Sequence, residues 1–242
     1  MYPDSQLKDI FFIDIETVSC VADYTTMEPR LQRLWDKKAA LIRNEEELPA
    51  AEFFFKKAGI YAEFGKVVAI AVGVLTREED SEHWGLRVKG LADDDEGVLL
   101  QAFKELLEKS SHKKLLLCGH NGKEFDFPYL SRRMLVNGIR LPAILDMAGK
   151  KPWEVPFLDT MEMWKFGDRK NFTSLDLLAA IFGVESSKSA LDGSQVNDAY
   201  YKRSELEAIK RYCMEDVAVT ARVFLKMNCL PDIDTGKLVY LD

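Results

Sequence analysis

A run that is apolar at every position, VVAIAVGVL at residues 67–75, most constrains how this chain folds. The run is far shorter than the roughly 20 residues that a membrane-spanning helix needs, so we expect no membrane segment. An uninterrupted apolar run of this length is typical of a strand that is covered on both faces. The sequence therefore predicts a central strand of a sheet that lies between two layers of helices.

The rest of the chain alternates between strand patterns and helix patterns. Apolar segments predict further strands at 10–16, 82–89, 114–120 and within VPFLD, and apolar residues at helical spacing predict helices at about 95–109, in FPYLSRRMLVNG, in TSLDLLAAIFG and at about 205–227. A helical stretch at about 24–60 is inserted between the first two strands. We therefore predict an α/β fold with a mixed five-stranded sheet, helices on both faces, and residues 1–242 as one domain.

Charge and cysteine usage limit the class of protein. The net charge is −7, which argues against a strongly basic nucleic-acid binder, although an acidic chain still binds phosphates when metal ions supply positive charge. The four cysteines form neither a CxxC pair nor a zinc-binding pattern, so we expect buried, reduced thiols and a cytoplasmic location; they are Cys20, Cys118, Cys213 and Cys229.

Two carboxylates interrupt the apolar first strand, FFIDIETVSC at residues 11–20. Asp14 and Glu16 are two residues apart, so they point to the same face of the strand, which Phe12 shares. Both lie towards the carboxyl end of the strand, where open α/β sheets bind ligands, and burying them is costly unless something compensates their charge. The pair fits either a cation site or a half-exposed edge strand.

Two more acidic positions follow later in the chain. Asp126, in GHNGKEFDFPYL, comes after a strand and a loop, where it fits a helix N-cap or a site residue. Tyr212 and Asp216 are four residues apart on the last long helix, so they stack on the same side, beside or within its buried stripe. Asp216 there needs a partner, which could be an arginine, a backbone N–H, or a metal ion shared with Asp14.

In their order and spacing, these motifs resemble the Exo I, Exo II and Exo III motifs of DEDD-type 3′–5′ exonucleases, which have the ribonuclease H-like fold. Tyr212 matches the tyrosine of the DEDDy branch, whereas the sister branch carries a histidine at the position of Arg211. The segments FFIDIET, GHNGKEFDFPYL, LDGSQV and YCMEDV resemble predicted exonucleases related to the exonuclease domain of family-B DNA polymerases. The resemblance covers nearly the whole chain.

This resemblance implies two divalent metal ions, Mg²⁺ or Mn²⁺, which prefer hard oxygen ligands. Asp14 would bridge both ions, Glu16 and Asp216 would complete one site, and Asp126 would hold the second ion. Tyr212 would position the attacking water. The implied reaction releases nucleoside 5′-monophosphates from the 3′ end of a single strand, DNA rather than RNA. The alternatives are an RNA-trimming exonuclease and an inactive nucleic-acid-binding module on the same fold. Protein partners are not indicated.

Several residues are candidates for contacting the substrate: Thr17, Asn121, Lys123 and Phe127. The segment KFGDRKNF, residues 165–172, interleaves basic and aromatic residues, which is typical of single-strand binding but also of a solvated loop. Two residue pairs match the capping-box pattern at a helix start: Asp159 with Glu162, and Ser204 with Glu207. His120 follows a strand beside the second motif, where a local role is open.

Overall fold

The protein is described by a computed structural model over residues 2–78, 81–110, 114–168, 172–186 and 191–241. Its strands are β1 (Ile10–Ser19), β2 (Gly65–Thr76), β3 (Trp84–Ala92), β4 (Leu116–Gly119), β5 (Leu158–Asp159) and β6 (Ile233–Leu241). Its helices are α1 (Asp4–Leu7), α2 (Pro29–Ala39), α3 (Ala50–Lys57), α4 (Glu96–Lys109), α5 (Asp126–Val136), α6 (Thr160–Lys165), α7 (Leu175–Phe182), α8 (Val196–Arg203) and α9 (Leu206–Met227).

The six described strands form one sheet in the order β5-β4-β1-β2-β3-β6. β2 runs antiparallel to both β1 and β3, while β4 pairs parallel to β1, β5 pairs parallel to β4, and β6 pairs parallel to β3. The mixed α/β sheet predicted from the sequence is confirmed, with β2 in the interior as its apolar run indicates. The prediction of five strands is corrected to six, because the chain returns after α9 to add β6 at the edge.

The alternation of β1 divides its side chains between two helix layers. Phe11, Ile13 and Ile15 belong to the core that includes residues of α4 and α5. Phe12 belongs to the opposite core, where its ring packs 5.4 Å from that of Phe224 on α9. Asp14 and Glu16 have the same parity as Phe12, so this register turns both carboxylates towards α9.

Two glycines let α9 lie unusually close to the sheet. A Cβ atom on Gly73 of β2 would lie 2.6 Å from Cγ1 of Val217, and one on Gly90 of β3 would lie 2.5 Å from Sδ of Met214. Both distances are shorter than a carbon or sulfur contact allows, so a side chain at either position would push the helix outward. The missing side chains therefore bring the middle of α9 within reach of β1.

The helical stretch between β1 and β2 forms a small core of its own. Trp35 is fully buried there and packs edge-on against Phe54 and Phe64, in both cases with ring centroids 5.2 Å apart. The stretch is tied to the rest of the protein by hydrogen bonds to its backbone carbonyls. Tyr129 donates to Gly59 at 2.8 Å, and the side-chain amide of Asn197 donates to Phe55 at 2.8 Å.

The start of α9 differs from the predicted capping box. Ser204 adopts a left-handed conformation with φ of 55° and ends α8, a helix that the sequence analysis did not predict. Glu205 therefore stands at the N-cap of α9, without a side-chain capping bond. Two residues, Ser204 and Glu205, separate the helices, and this junction uses Ser204 as a turn instead of a cap.

The cysteines are all free thiols, as expected, but they are not all buried. Cys118 and Cys213 are buried, Cys20 is half-buried and Cys229 is exposed. Within the described residues, no helix combines the length and apolar character that crossing a membrane requires.

Candidate metal centre

Three carboxylates from the two ends of the chain meet between β1 and α9. One oxygen each from Asp14, Glu16 and Asp216 lies within 4.8 Å of the others. β1 contributes Asp14 and Glu16 from alternate positions, and α9 contributes Asp216 from the helix face that packs against the sheet. The cluster therefore depends on the strand register and on the close approach of α9.

The surroundings of Asp14 disfavour the charged form of its carboxylate. Its Oδ2 atom is buried and has no hydrogen-bond partner among the described residues. Burial raises the pKa of Asp14 well above its usual range, and the neighbouring carboxylates raise it further. Burial and the charges of Asp216 and Asp126 likewise raise the pKa of Glu16. In the described part of the chain, the charged groups that act on Asp14 and Glu16 are all negative.

Asp126 lies beside this cluster and does not act as the N-cap of α5. It is the first residue of that helix, and its Oδ1 accepts a hydrogen bond of 3.2 Å from the backbone N–H of Ile15, between the two acids of β1. Burial raises the pKa of Asp126 to about 7, although the N–H groups of Asp126 and Ile15 act in the opposite direction. The second carboxylate oxygen of Asp126 is not used in this bond.

α9 contributes two further side chains to the site. Tyr212 is 7% exposed and is hydrogen-bonded to Asp216, one helical turn away. Burial and the charges of Asp216 and Glu16 raise the pKa of Tyr212, so its hydroxyl keeps its proton. The thiol of Cys213 donates to the carbonyl oxygen of Asp14 at 3.2 Å, which fastens α9 to β1 next to the cluster.

These side chains fit divalent cations with a preference for oxygen ligands. An unpaired buried carboxylate oxygen next to two more carboxylates is unfavourable unless a positive charge lies between them. The donor set contains only carboxylate oxygens, which suits Mg²⁺ or Mn²⁺ and not a metal that prefers nitrogen or sulfur. Asp14, Glu16 and Asp216 can each offer one oxygen to the same cation, and Asp126 lies close enough to add its charge to theirs.

Asp159 organises the loop that leads into this site, a role that the sequence analysis did not assign. It caps α6 by accepting hydrogen bonds from the N–H groups of Met161 and Glu162, as predicted, but the Glu162 side chain pairs with Lys123 and does not complete the predicted capping box. Its two oxygens also accept 3.0 Å hydrogen bonds from the backbone N–H groups of Asn121 and Lys123 in the loop between β4 and α5. These bonds span 36 and 38 residues of sequence, so local sequence does not show that Asp159 binds this loop as well as its own helix.

The four residues expected to contact the substrate have different surroundings. Asn121 has a positive φ of 64° and lines a cavity beside the loop, and Lys123 lines the same cavity while paired with Glu162. Thr17 is half-buried and bonded to the hydroxyl of Tyr129.

Phe127 is a correction to the predicted substrate set. Only 1% of it is exposed, and its ring packs 4.5 Å from that of Phe157 in the core beneath α5. Its apolar side chain is therefore used to hold α5 in place, and a nucleotide cannot reach it.

Three other residues that the sequence motifs contain have defined contacts near the site. The ring of His120 joins Thr160 at 2.9 Å and the carbonyl oxygen of Thr173 at 3.0 Å, so His120 fixes local structure. Arg211, at the position where the sister branch has histidine, pairs instead with Glu215 at 2.8 Å. Asp192, in the LDGSQV segment, is close enough to add to the charge acting on Glu16 and was not predicted as a neighbour.

A cavity of about 710 Å³ lies beside the loop between β4 and α5, and none of the four acids lines it. Asn121, Lys123 and Asp159 form one side, and Lys165 and Phe172 form another. Within KFGDRKNF, Phe166 and Phe172 are exposed, whereas Arg169 and Lys170 lie outside the described residues.

Comparison with known proteins gives a family match and a similarity of fold to a solved structure. The family described as "Predicted 3'-5' exonuclease related to the exonuclease domain of PolB" matches residues 60–236. That range contains Asp126, Tyr212 and Asp216 but not β1, so the first two acids are placed by the geometry alone.

The family B DNA polymerase of the hyperthermophilic archaeon Pyrobaculum calidifontis has a similar fold, with a TM-score of 0.51 and 16% identity. The similarity covers 90% of this chain but only 24% of the polymerase chain. No curated protein matches the chain.

Proposed function

Because the chain belongs to the family of predicted 3′–5′ exonucleases related to the exonuclease domain of PolB, we propose that it hydrolyses the terminal phosphodiester bond at the 3′ end of a nucleic acid strand. The products would be nucleoside 5′-monophosphates, and residues 1–242 would act as one domain. The observation that carries this proposal is the cluster formed by Asp14, Glu16 and Asp216, in which the buried Oδ2 of Asp14 has no hydrogen-bond partner among the described residues.

Two divalent cations, Mg²⁺ or Mn²⁺, would supply Lewis acidity for the attacking and leaving oxygens when bound. Asp14 would contribute to both sites, with Glu16 and Asp216 completing one and Asp126 the other. These side chains suit that role because burial and mutual repulsion make the cluster unfavourable until positive charge arrives.

Tyr212 would hold the attacking water in line with the scissile bond. Its raised pKa keeps the phenol protonated at neutral pH, so it is a poor general base; because its one proton is donated to Asp216, its oxygen can accept a hydrogen bond from the water. Asp216 would orient the phenol through their hydrogen bond. Asn121 and Lys123 would contact the sugar or phosphate next to the site, since both line the adjoining cavity.

Product analysis on a 5′-labelled single-stranded DNA, with Mg²⁺ or Mn²⁺, tests this function directly. The expected result is a descending ladder of labelled products with nucleoside 5′-monophosphates released, and no products from Asp14→Ala or Asp216→Ala variants that remain folded. Full activity in either variant would contradict the assignment. Absence of cleavage in the unmodified protein with both metals would favour an inactive binding module.

A strand of RNA with the same sequence separates the two enzymatic alternatives. We propose DNA as the preferred substrate, so the rate on DNA should exceed that on RNA. The opposite ratio would indicate an RNA-trimming enzyme, because the 2′-OH is the group by which a protein distinguishes the two strands.

A further inference from the structure

Exposed aromatic side chains are concentrated at one place on the described surface. Among the large apolar residues that are exposed there, the aromatic ones are Trp153, Phe166 and Phe172, with exposures of 78%, 90% and 68%. All three flank the cavity of about 710 Å³: Phe172 lines it, and Trp153 and Phe166 are chain neighbours of lining residues. We call these three residues the aromatic rim.

The cavity lies beside the loop that leads from β4 to Asp126. Asp159 lines the cavity and binds the backbone of the loop that ends at Asp126. Its charge also acts on the Asp126 carboxylate, so the two acids are close neighbours. A strand whose last phosphate lies at the four acids therefore has the cavity and its aromatic rim alongside its preceding nucleotides.

Lysines accompany the rim at distances suited to a stacked, phosphate-bearing ligand. The Nζ atom of Lys151 lies 5.3 Å from the ring centroid of Trp153, and that of Lys165 lies 4.5 Å from the centroid of Phe172. Lys150 also lines the cavity. A cation resting on one face of an aromatic ring leaves the other face for a base and the ammonium group for a phosphate.

Acidic residues on the same wall are largely compensated. Glu162 is paired with Lys123, and Asp159 accepts four backbone N–H groups. The lining also includes the acidic residues Glu124 and Asp168. With mixed charges of this kind, binding to the cavity depends more on stacking than on a general attraction to phosphates.

We infer that the aromatic rim stacks with bases of the strand that carries the 3′ end, so that Trp153, Phe166 and Phe172 form a strand-binding subsite outside the metal centre. This inference rests on the proposed function for the identity of the ligand. Paired bases are already stacked within a duplex and do not offer their faces to a protein. The rim therefore selects a single strand over a duplex.

Binding of a fluorescently labelled oligothymidylate to the full chain in EDTA tests this inference without relying on cleavage. Trp153→Ala, Phe166→Ala and Phe172→Ala should each weaken binding by about fivefold or more, because stacking on one aromatic side chain contributes at least that factor. Trp153→Phe and Phe172→Tyr keep a ring and should bind like the unmodified protein. All these residues are exposed, so the substitutions leave the core intact.

Leu135→Ala is the matched control, since Leu135 is an exposed apolar residue at the opposite end of α5 from Asp126. Its affinity should be unchanged. A hairpin duplex should bind at least about fivefold more weakly than the single strand if stacking dominates. With Lys150, Lys151 and Lys165 as the phosphate contacts, log affinity should fall with log salt with a slope of about −2.

The outcomes separate this inference from the proposed function. If the protein degrades single strands but the alanine variants bind and cleave them as the unmodified protein does, the rim is not a strand site and the inference is overturned. Failure of the unmodified protein to bind the oligothymidylate overturns it as well, and the rim then serves another partner. If the rim variants lose binding while no metal supports cleavage, the inference stands and the exonuclease proposal fails.

Discussion

The carboxylate of Asp14 faces three other acids with one buried oxygen that nothing binds in the described part of the chain. Asp14→Asn should therefore abolish cleavage and, in EDTA at neutral pH, raise the free energy of unfolding by about 1–3 kcal/mol, because removing one charge relieves the repulsion. The same variant should lose the stabilisation that Mg²⁺ or Mn²⁺ gives the unmodified protein. Thermal unfolding with and without metal measures both effects.

Glu215→Gln is the control for that substitution. Glu215 precedes Asp216 on α9 but pairs with Arg211 outside the cluster. Removing its charge should change stability by less than about 0.5 kcal/mol and leave metal stabilisation intact. A destabilised Asp14→Asn protein in EDTA would show that the repulsion within the cluster is not the dominant contribution.

The raised pKa of Asp126 predicts a pH dependence for the metal-free protein. The folded state keeps this proton up to about pH 7, whereas an unfolded aspartate loses it near pH ~3.9. Between these values the unfolded state binds fewer protons, so the free energy of unfolding should fall as pH rises through this window. Urea unfolding in EDTA at a series of pH values checks this.

Asp126→Asn should flatten the dependence, since asparagine does not titrate. Saturating Mn²⁺ should also reduce the fall, because the cation takes the place of the protons. Stability that rises from pH 4 to pH 7 in EDTA would contradict the inferred surroundings of Asp126.

At this scale, strand periodicity was enough to predict that Asp14 and Glu16 share a face, and helical periodicity was enough for Tyr212 and Asp216. The bond from Ile15 to Asp126 spans 111 residues of sequence, so the local pattern favoured an N-cap for Asp126. Phe127 was wrongly predicted to contact the substrate, because its packing partner Phe157 is also distant in the sequence. An aromatic residue after the motif looks identical in sequence whether its ring faces a ligand or the core.

At the scale of elements, the distance between α9 and the sheet decides whether Asp216 reaches β1. Gly73→Ala should push the helix away, because the new Cβ would lie 2.6 Å from Cγ1 of Val217. We expect a loss of about 1–3 kcal/mol in stability from overpacking, together with weaker metal binding as Asp216 moves away from Asp14. Calorimetric titration of Mn²⁺ and urea unfolding measure the two effects.

Adding Val217→Ala to Gly73→Ala should restore metal affinity, because it removes the methyl group that collides with the new side chain. Val217→Ala alone should cost stability through the cavity it leaves but should retain metal binding. If Gly73→Ala binds Mn²⁺ as tightly as the unmodified protein, the glycine is not needed for the position of Asp216.

The elements that periodicity predicted were those with a strong apolar pattern, such as β2 and α9. β6 and α8 were not predicted. β6 lies at the edge of the sheet and pairs only with β3, so many of its residues are only half-buried. Gly236 also interrupts its apolar pattern. The sequence of α8, VNDAYYKR, has few apolar residues because the helix packs on β1 mainly through Val196 and Ala199.

At the scale of the whole molecule, one buried ion pair joins three parts of the fold. Glu96 on α4 binds Arg133 on α5 and accepts the backbone N–H of Val67 on β2 at 2.8 Å, while Arg133 donates to Ala62 before β2 at 2.9 Å. Glu96→Ala would leave Arg133 buried without a counter-charge, so stability should fall by about 3–5 kcal/mol. Urea unfolding measures the loss.

Glu105→Ala on the same helix is the matched control. Glu105 and Lys109 form an exposed pair, so this substitution should change stability by less than about 1 kcal/mol. The ion pair lies on the side of the sheet away from α9, so Glu96→Ala should retain Mn²⁺ affinity at temperatures where it stays folded. Parallel loss of stability and metal affinity would mean that the two faces of the sheet are coupled.

The acids of the site come from β1, near the first residues of the chain, and from α9, more than 190 residues later. A growing polypeptide on the ribosome carries Asp14 and Glu16 long before Asp216 and Tyr212 have been synthesised. Until α9 has emerged and docked, such a nascent chain lacks Tyr212 and Asp216, and with Asp216 one of the three carboxylates of the cluster. Binding of a cation by all three carboxylates must therefore wait until residues 206–227 have been synthesised and have packed against β1.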